Sequence, residues 1–429
     1  MKNRHTTMWK LLALAAVLAV AATISSSAGV AAREQSVTLV WWHNVTQGAG
    51  LQLYKDIVTE FQKRNPNVTI KAVPLQNEQF QTKIPIALQS DSPPDVFQSW
   101  GGGGLVDQQK AGKVADLTRY VRPWIKSLGG SAAGWQVNGR QYAIPYSVGV
   151  VGFWYNRQLF RQAGVRSAPK TWPQFLAAIA KLKDAGITPI AVGSKDEWPD
   201  AFYWDYLAVK LCSKKVMQQS AVTYNFRDRC WLRAGQYLQQ LLDAEPFQNG
   251  FLATPAQQGA SSSAGLLANG KAAMELMGHW NPGVMQGLRP DGKIPSFLGW
   301  FPFPNVPGSK ALPGSMLGGG DGYACSWKAP QPACAQFLAY IAGPSVQRRV
   351  GSTGFGLPVR KGTEGSVKDK NLQTVLKFRS TSPFIQLYLD QAYSAAIGQA
   401  LNGAIAKQFA GEATAAQVVA EIAKAAKKK

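Results

Sequence analysis

The sequence predicts an α/β protein of two lobes that share strands, with mostly parallel sheets flanked by helices. Three observations carry that expectation. Residues 36–100 alternate strand and helix patterns in the rhythm of a parallel sheet. Three later segments, 141–156, 294–306 and 354–359, are apolar or β-prone but interrupted by Gly and Pro, as suits chain crossing between two bodies. No Pro- or Ser-rich linker separates the bodies, and no repeat of roughly 20–50 residues stands out. The 429 residues allow two large domains at the usual size of about 100–200 residues each.

Residues 1–32 are set apart. Lys2, Arg4 and Lys10 precede an apolar run, 11–24, broken only by Thr23, and the segment ends Val30-Ala31-Ala32. That is the pattern of a cleavable secretory signal peptide. The run is shorter than the roughly 20 residues that span a bilayer. No Cys lies near the cleavage region to accept a lipid, so the expected location is the periplasm. Removing the three basic residues lowers the formal charge from +22 to +19. Cysteine usage fits export: Cys212 lies 18 residues before Cys230, and Cys325 lies 9 before Cys334, so two local disulfides are the economical pairing among three possible connectivities.

Each later element follows from its pattern. Residues 36–42 and 68–73 are rich in β-branched and aromatic residues and predict strands, as does 94–100. Between them, 51–64 repeats Leu53, Ile57, Val58 and Phe61 at helical spacing and stops at Asn65-Pro66, and 76–90 predicts a second helix. Ligands in such sheets sit beyond the carboxyl ends of the strands, which places Trp42, His43, Asn44, Gln76 and Trp100 on one edge. Helical patterns resume at 157–163, 172–185, 201–210, 228–242, 264–267 and 332–342, with closing helices at 384–410 and 413–429. Trp154, Trp172 and Trp231 lie on apolar faces and are expected in the core, whereas Trp204 suits the core and the ligand equally.

Residues 266–280 have an unusual order: an apolar helix end, Asn269-Gly270-Lys271, a small-residue strand, then Gly278-His279-Trp280. Other marks are Trp41-Trp42, Pro93-Pro94-Asp95-Val96, Ala143-Ile144-Pro145-Tyr146, Trp154-Tyr155-Asn156 and Gly354-Phe355-Gly356-Leu357-Pro358-Val359. Taken in this order, from residue 37 to about 400, they make the chain resemble the family 1 extracellular solute-binding proteins of bacterial ABC importers, the maltose-binding-protein-like group. The resemblance implies a two-lobed periplasmic-binding-protein fold of type II, with residues 33–144 and 305–353 in the N-terminal lobe and 145–304 and 354–429 in the C-terminal lobe. It further implies a monomeric protein without cofactor. Its partners would be a sugar or oligosaccharide, captured by closure about hinges near 144–149, 302–306 and 354–358, and the permease subunits of an ABC importer in the inner membrane.

Sugar rings present C–H faces that pack on Trp and Tyr, while their hydroxyls need partners once desolvated. Trp280 falls at the family's ligand-stacking position, Trp198 in the segment that supplies a second stacking aromatic, and Tyr388 near another. Asp321, after Gly318-Gly319-Gly320, suits acceptance from two vicinal hydroxyls. Competing functions are less well supported. The stretch 265–272 is one residue from a phosphate-binding P-loop, but Ala272 replaces the required Ser or Thr and no strand precedes it. A secreted glycoside-acting enzyme needs a pair of carboxyl groups, and Glu197, Asp200, Asp205, Glu275 and Asp321 lie in no recognisable hydrolase context. A carbohydrate-binding protein unconnected to transport would share the same aromatics. The basic residues are scattered, as on a solvated surface, so no nucleic acid partner is expected. His43 and His279 lack a third ligand for a metal.

Overall fold

The computed structural model describes residues 36–427; the signal-peptide expectation for 1–32 lies outside them. From Thr38 onward the chain forms one unit, organised about two sheets. β1 (Val37–His43), β2 (Val68–Pro74) and β3 (Val96–Ser99) open the first sheet, separated by the helices Gly48–Arg64 and Asn77–Ala87. The helix Gly48–Arg64 buries Leu53, Tyr54, Ile57 and Phe61, one stripe of a 3.6-residue period, and ends before Pro66, whose ring disfavours helix at the preceding residue. The helix Gly102–Lys110 was hidden by its glycines, each about 1 kcal/mol poorer than Ala in a helix.

A short hairpin, β4 (Gln136–Val137) with β5 (Arg140–Gln141), leads to the first crossing. Residues 141–156 resolve there into two strands in different sheets. β6 (Ala143–Val150) joins the first sheet, while β7 (Gly152–Asn156) is the centre of the second, between β8 (Met274–Met277) and β9 (Leu298–Phe301). The chain returns from β9 to β10 (Met316–Cys325), which pairs along its length with β6. Pro145 is accommodated because the register shifts there: Asp321 faces Ser147 and Gly322 faces Pro145, leaving Tyr146 as the extra residue of a bulge.

The α/β class holds, but strand directions are mixed rather than mostly parallel. β1 runs parallel to β3, whereas β10 opposes both β3 and β6, and β7 opposes β8 and β9. A chain shuttling between two bodies re-enters each sheet from the far end, which sets the returning strand against its neighbours. A second correction concerns 384–410, which is not one helix. β11 (Ile385–Leu387) pairs with Met316–Gly318 of β10, a short helix covers Leu389–Ala392, and Ala395–Phe409 completes the segment. The apolar spacing fits a helix throughout, and pairing with an available strand edge overrides it at the start. The last helix, Ala415–Ala426, begins with a Thr414/Gln417 capping box.

Trp154, Trp172, Trp204 and Trp231 are all in the buried core, with Trp204 and Trp231 stacked at 5.6 Å. Both local disulfides form, Cys212–Cys230 and Cys325–Cys334. The first ties the end of the helix Trp198–Leu211 to the start of Arg229–Asp243. Among the described residues, no helix is long and apolar enough to cross a membrane.

Candidate ligand-binding cleft

The exits of β1, β2 and β3 and the middle of β10 open onto a cleft of about 1110 Å³. Trp198 and Phe202, the loop at Trp280, and Tyr388, Asp390 and Gln391 also line it. Each aromatic has a local reason for its place. Gly278, two residues before Trp280, lies so close under the indole that a Cβ there would sit 2.1 Å from the ring. Asn281 then donates to buried Glu275 at 2.7 Å, and Pro282 starts the helix Asn281–Gly287. The order Gly-His-Trp-Asn-Pro therefore folds the indole back, anchors the loop and begins a helix.

Trp198 opens a helix in which every residue is buried, with Pro199 in its first turn. The residue before it, Glu197, has φ 60° and ψ −45°, a conformation costing a side chain about 1–3 kcal/mol. That bend aims the Trp198 indole at Glu78, to which its N–H donates at 3.3 Å. Tyr388 follows β11 and lies over Gly319 of β10, where a Cβ would come within 2.6 Å of the ring. The glycine run in β10 makes room for protein side chains and neighbouring strands, and Gly320 also lines the cleft. Asp205 accepts from the Leu389 N–H at 3.0 Å and so fixes the turn that carries Tyr388. The Tyr388 ring meets Trp280 at 6.2 Å, edge to face, and Phe202 at 5.2 Å. Its buried hydroxyl has no hydrogen-bond partner among the described residues.

Polar groups converge on the same space. Asp321 accepts from Gln98 at 2.5 Å, and its carboxyl group, withdrawn from water, is pushed up to about 7. Beneath it, Tyr323 donates to Tyr54 at 2.7 Å, and Tyr146 stacks on Tyr323 at 5.2 Å. Asn44 donates to Asn77, and Thr46 to Gln76, linking the loops after β1 and β2.

Of the predicted residues, Trp280, Trp198, Trp100, Tyr388, Asp321, Asn44 and Gln76 all line the cleft. Two do not. His43 is buried behind it, in ring contact with Trp41 and Tyr54, and accepts the Val45 N–H through Nδ1; burial lowers its pKa to about 3 and keeps it neutral. Trp42 packs against the cluster of Phe80, Ile84 and Phe97. The side-chain alternation of β1 explains both: the strand's last residues point into the two layers flanking the sheet, and the loop after them reaches the ligand edge. The sequence reading missed Glu78, Tyr146, Phe355, Gln258 and Asp390, which also line the cleft. Tyr146 and Phe355 lay inside segments recognised as crossings and as marks of the family resemblance, without a role at the ligand. Glu78 is two residues past a strand-exit residue, in the first turn of the next helix.

The crossings themselves are bound together under the cleft. The Val148 N–H donates to Leu357 O at 3.3 Å and the Leu357 N–H to Ser147 Oγ at 3.0 Å, while Ser147 Oγ lies 2.8 Å from His279 Nε2. Arg379, from the helix Lys370–Thr381, donates to both Val148 O (2.8 Å) and Pro358 O (3.0 Å). Gln347, from the helix Pro344–Ser352, accepts from the Val359 N–H at 2.8 Å and donates to Tyr146 O at 3.1 Å. Burial, reinforced by Arg379, lowers the His279 pKa to about 3, so this junction holds a neutral imidazole.

Comparison with known proteins places this geometry. An ABC transporter extracellular-binding protein of Pyrococcus horikoshii is 25% identical over 80% of this chain and 75% of its own. A multiple sugar-binding protein of Streptococcus mutans is 26% identical over 62% of each chain, so the match spans less than two thirds of that relative's length. A solved structure from work on xylan utilisation by Caldanaerobius polysaccharolyticus superposes with a TM-score of 0.83 at 25% identity, over 90% of this chain and 99% of the other. These likenesses fit the two-lobed α/β architecture around a cleft. Residues 43–348 match the bacterial extracellular solute-binding protein family, and the chain belongs to that family.

Proposed function

We propose that the protein captures a sugar or oligosaccharide outside the cytoplasm and delivers it to an ABC importer. The observation that carries this is the joining in one cleft of aromatic faces, from Trp280, Trp198, Trp100 and Tyr388, with carboxyl and amide groups, from Asp321, Gln76 and Asn44. That combination matches a ligand with apolar C–H faces and a rim of hydroxyls. The relatives named for sugar binding and for ABC transport support the substrate class and the partner.

In this account residues 33–144 and 305–353 form most of one lobe and 145–304 and 354–429 most of the other, with β6 and β11 reaching back to pair with β10 in the first sheet. Ligand bound to one lobe is covered by the second, turning about the crossings near 144–149, 302–306 and 354–358. The ligand favours closure only as far as its contacts differ between the open and closed states. The closed monomer then presents both lobes to permease subunits at the membrane, after export by the signal peptide, without lipid attachment. Binding and release complete its task, with no bond broken in the ligand. Sustained turnover of aryl glycosides by the purified protein would overturn that part.

The test is a thermal-shift screen of the mature protein against neutral mono- and oligosaccharides, followed by titration calorimetry on the hits. At least one sugar should raise the melting temperature in a saturable way. A flat response across the sugars would overturn the proposal.

A further inference from the structure

The protein carries a formal net charge of +22, yet no Lys, Arg or His lines the cleft among the described residues. Three carboxyl groups line it instead, those of Glu78, Asp321 and Asp390. Among the described residues, the hydrogen-bond partners of all three are neutral. Glu78 accepts from the Trp198 indole at 3.3 Å and the Gln258 amide at 3.0 Å. Asp321 accepts from Gln98, and Asp390 from Gln391 at 2.9 Å and Asn402 at 3.5 Å. The basic excess of the chain has therefore been kept out of this space.

We propose that the cleft selects against anionic ligands and takes an uncharged polyhydroxy compound, with Glu78 as the charge-selecting residue. The proposal rests on the sugar-binding function above and narrows its substrate class. A carboxylate or phosphate on a ligand would leave water and meet three carboxyl groups with no cation to pair with, an arrangement that penalises like charge in a partly desolvated site. A hydroxyl meets the opposite situation: each carboxyl oxygen accepts from it.

The three acids have different tasks. Asp321 and Asp390, largely withdrawn from water, are both held above the ordinary carboxylate range by that desolvation. Their oxygens face the cleft as hydrogen-bonding groups for ligand hydroxyls. Glu78 is half-buried in the first turn of the helix Asn77–Ala87, and both its oxygens reach across to donors on other segments. Asp196, just before Trp198 in sequence, adds a further acid close enough to Glu78 for the two to repel. The base that offsets Asp196 electrostatically, Lys195, is exposed and outside the cleft lining.

Matched pairs of sugars that differ only in charge test this. The probes are trigalacturonic acid against its methyl ester, glucuronic acid against glucose, and maltotriose phosphate against maltotriose, each titrated calorimetrically at neutral pH and low salt. In every pair that gives binding, the uncharged member should bind at least about tenfold more tightly. The Glu78→Gln variant should narrow that gap at least about threefold, and high salt should narrow it in the wild type by screening. The salt arm needs no variant, so a poorly folding Glu78→Gln does not remove the test. Equal or tighter binding of an acid than of its neutral partner would overturn the charge proposal while leaving sugar binding intact. Absence of binding by every sugar, charged or neutral, would overturn the sugar function and this proposal with it.

Discussion

Trp280 is held by neighbours that leave its ring little choice: Gly278 beneath the indole, His279 at 5.4 Å beside it, and Tyr388 edge to face at 6.2 Å. Removing the indole takes away flat area without touching the Glu275–Asn281 anchor of its loop. Trp280→Ala should therefore weaken the best sugar ligand at least about tenfold in titration calorimetry, with the melting temperature of the free protein nearly unchanged. Unchanged affinity would move the site elsewhere. Glu275 has a separate, structural part. Burial pushes its pKa to about 7 from the ordinary 4.5, although Ser263 and Asn281 donate to its two oxygens. Between those values the folded state keeps a proton that the unfolded chain has released. Its contribution to stability thus declines as pH rises from about 4.5 to about 7 and is flat above. His43 and His279, both lowered to about 3, act with the opposite sign as pH falls. Comparing wild type with Glu275→Gln cancels these shared histidines. The wild-type melting temperature should fall relative to the variant between about pH 5 and 7, and a pH-independent difference would contradict the assignment.

At the scale of elements, the crossings carry the account. Strands β6 and β7 form one continuous run through both sheets, and the segment 354–359 lies against β6, clamped by Arg379 from one helix and Gln347 from another. Arg379→Met keeps most of the side chain's length but leaves two carbonyls without a donor. It should lower unfolding free energy by roughly 2–5 kcal/mol in urea denaturation, and a change under about 0.5 kcal/mol would show that the clamp is dispensable. The Cys212–Cys230 bridge closes an 18-residue separation, so replacing both cysteines by Ser should cost about 3 kcal/mol in the chain-entropy view. These elements also show what the sequence made legible. The alternation of 36–100, the Gly- and Pro-broken crossings, and the Gly-x-Trp loop were readable because each has a local physical cause. Residues 384–410 were misread because helical spacing there is real but loses to pairing with β10. His43 and Trp42 were misplaced because strand-exit position says which edge a residue is on, and only the pleat says which way it points. Glu78 went unnoticed because its role comes from Trp198 and Gln258, more than a hundred residues away in sequence.

For the molecule as a whole, the charge balance and the cleft point in opposite directions. A chain of formal charge +22 forms a cleft whose charged lining, among the described residues, is wholly acidic, so the net charge says nothing of the ligand. The cleft draws on both bodies: the loops after β1 and β2 come from the first sheet, while Trp198, Phe202 and Trp280 belong to the helices and loops around the second. Bonds already span these groups, including Trp198 to Glu78 and Gln47 to the Gln257 carbonyl at 3.1 Å. Capture by closure therefore predicts that one ligand shields both sides at once. Amide hydrogen exchange with and without the best-stabilising neutral oligosaccharide reads this directly. The account predicts slowed exchange in 44–47 and 76–81 together with 198–202, 280–284 and 388–391. Protection confined to one of these two groups, or appearing only elsewhere on the protein, would contradict it.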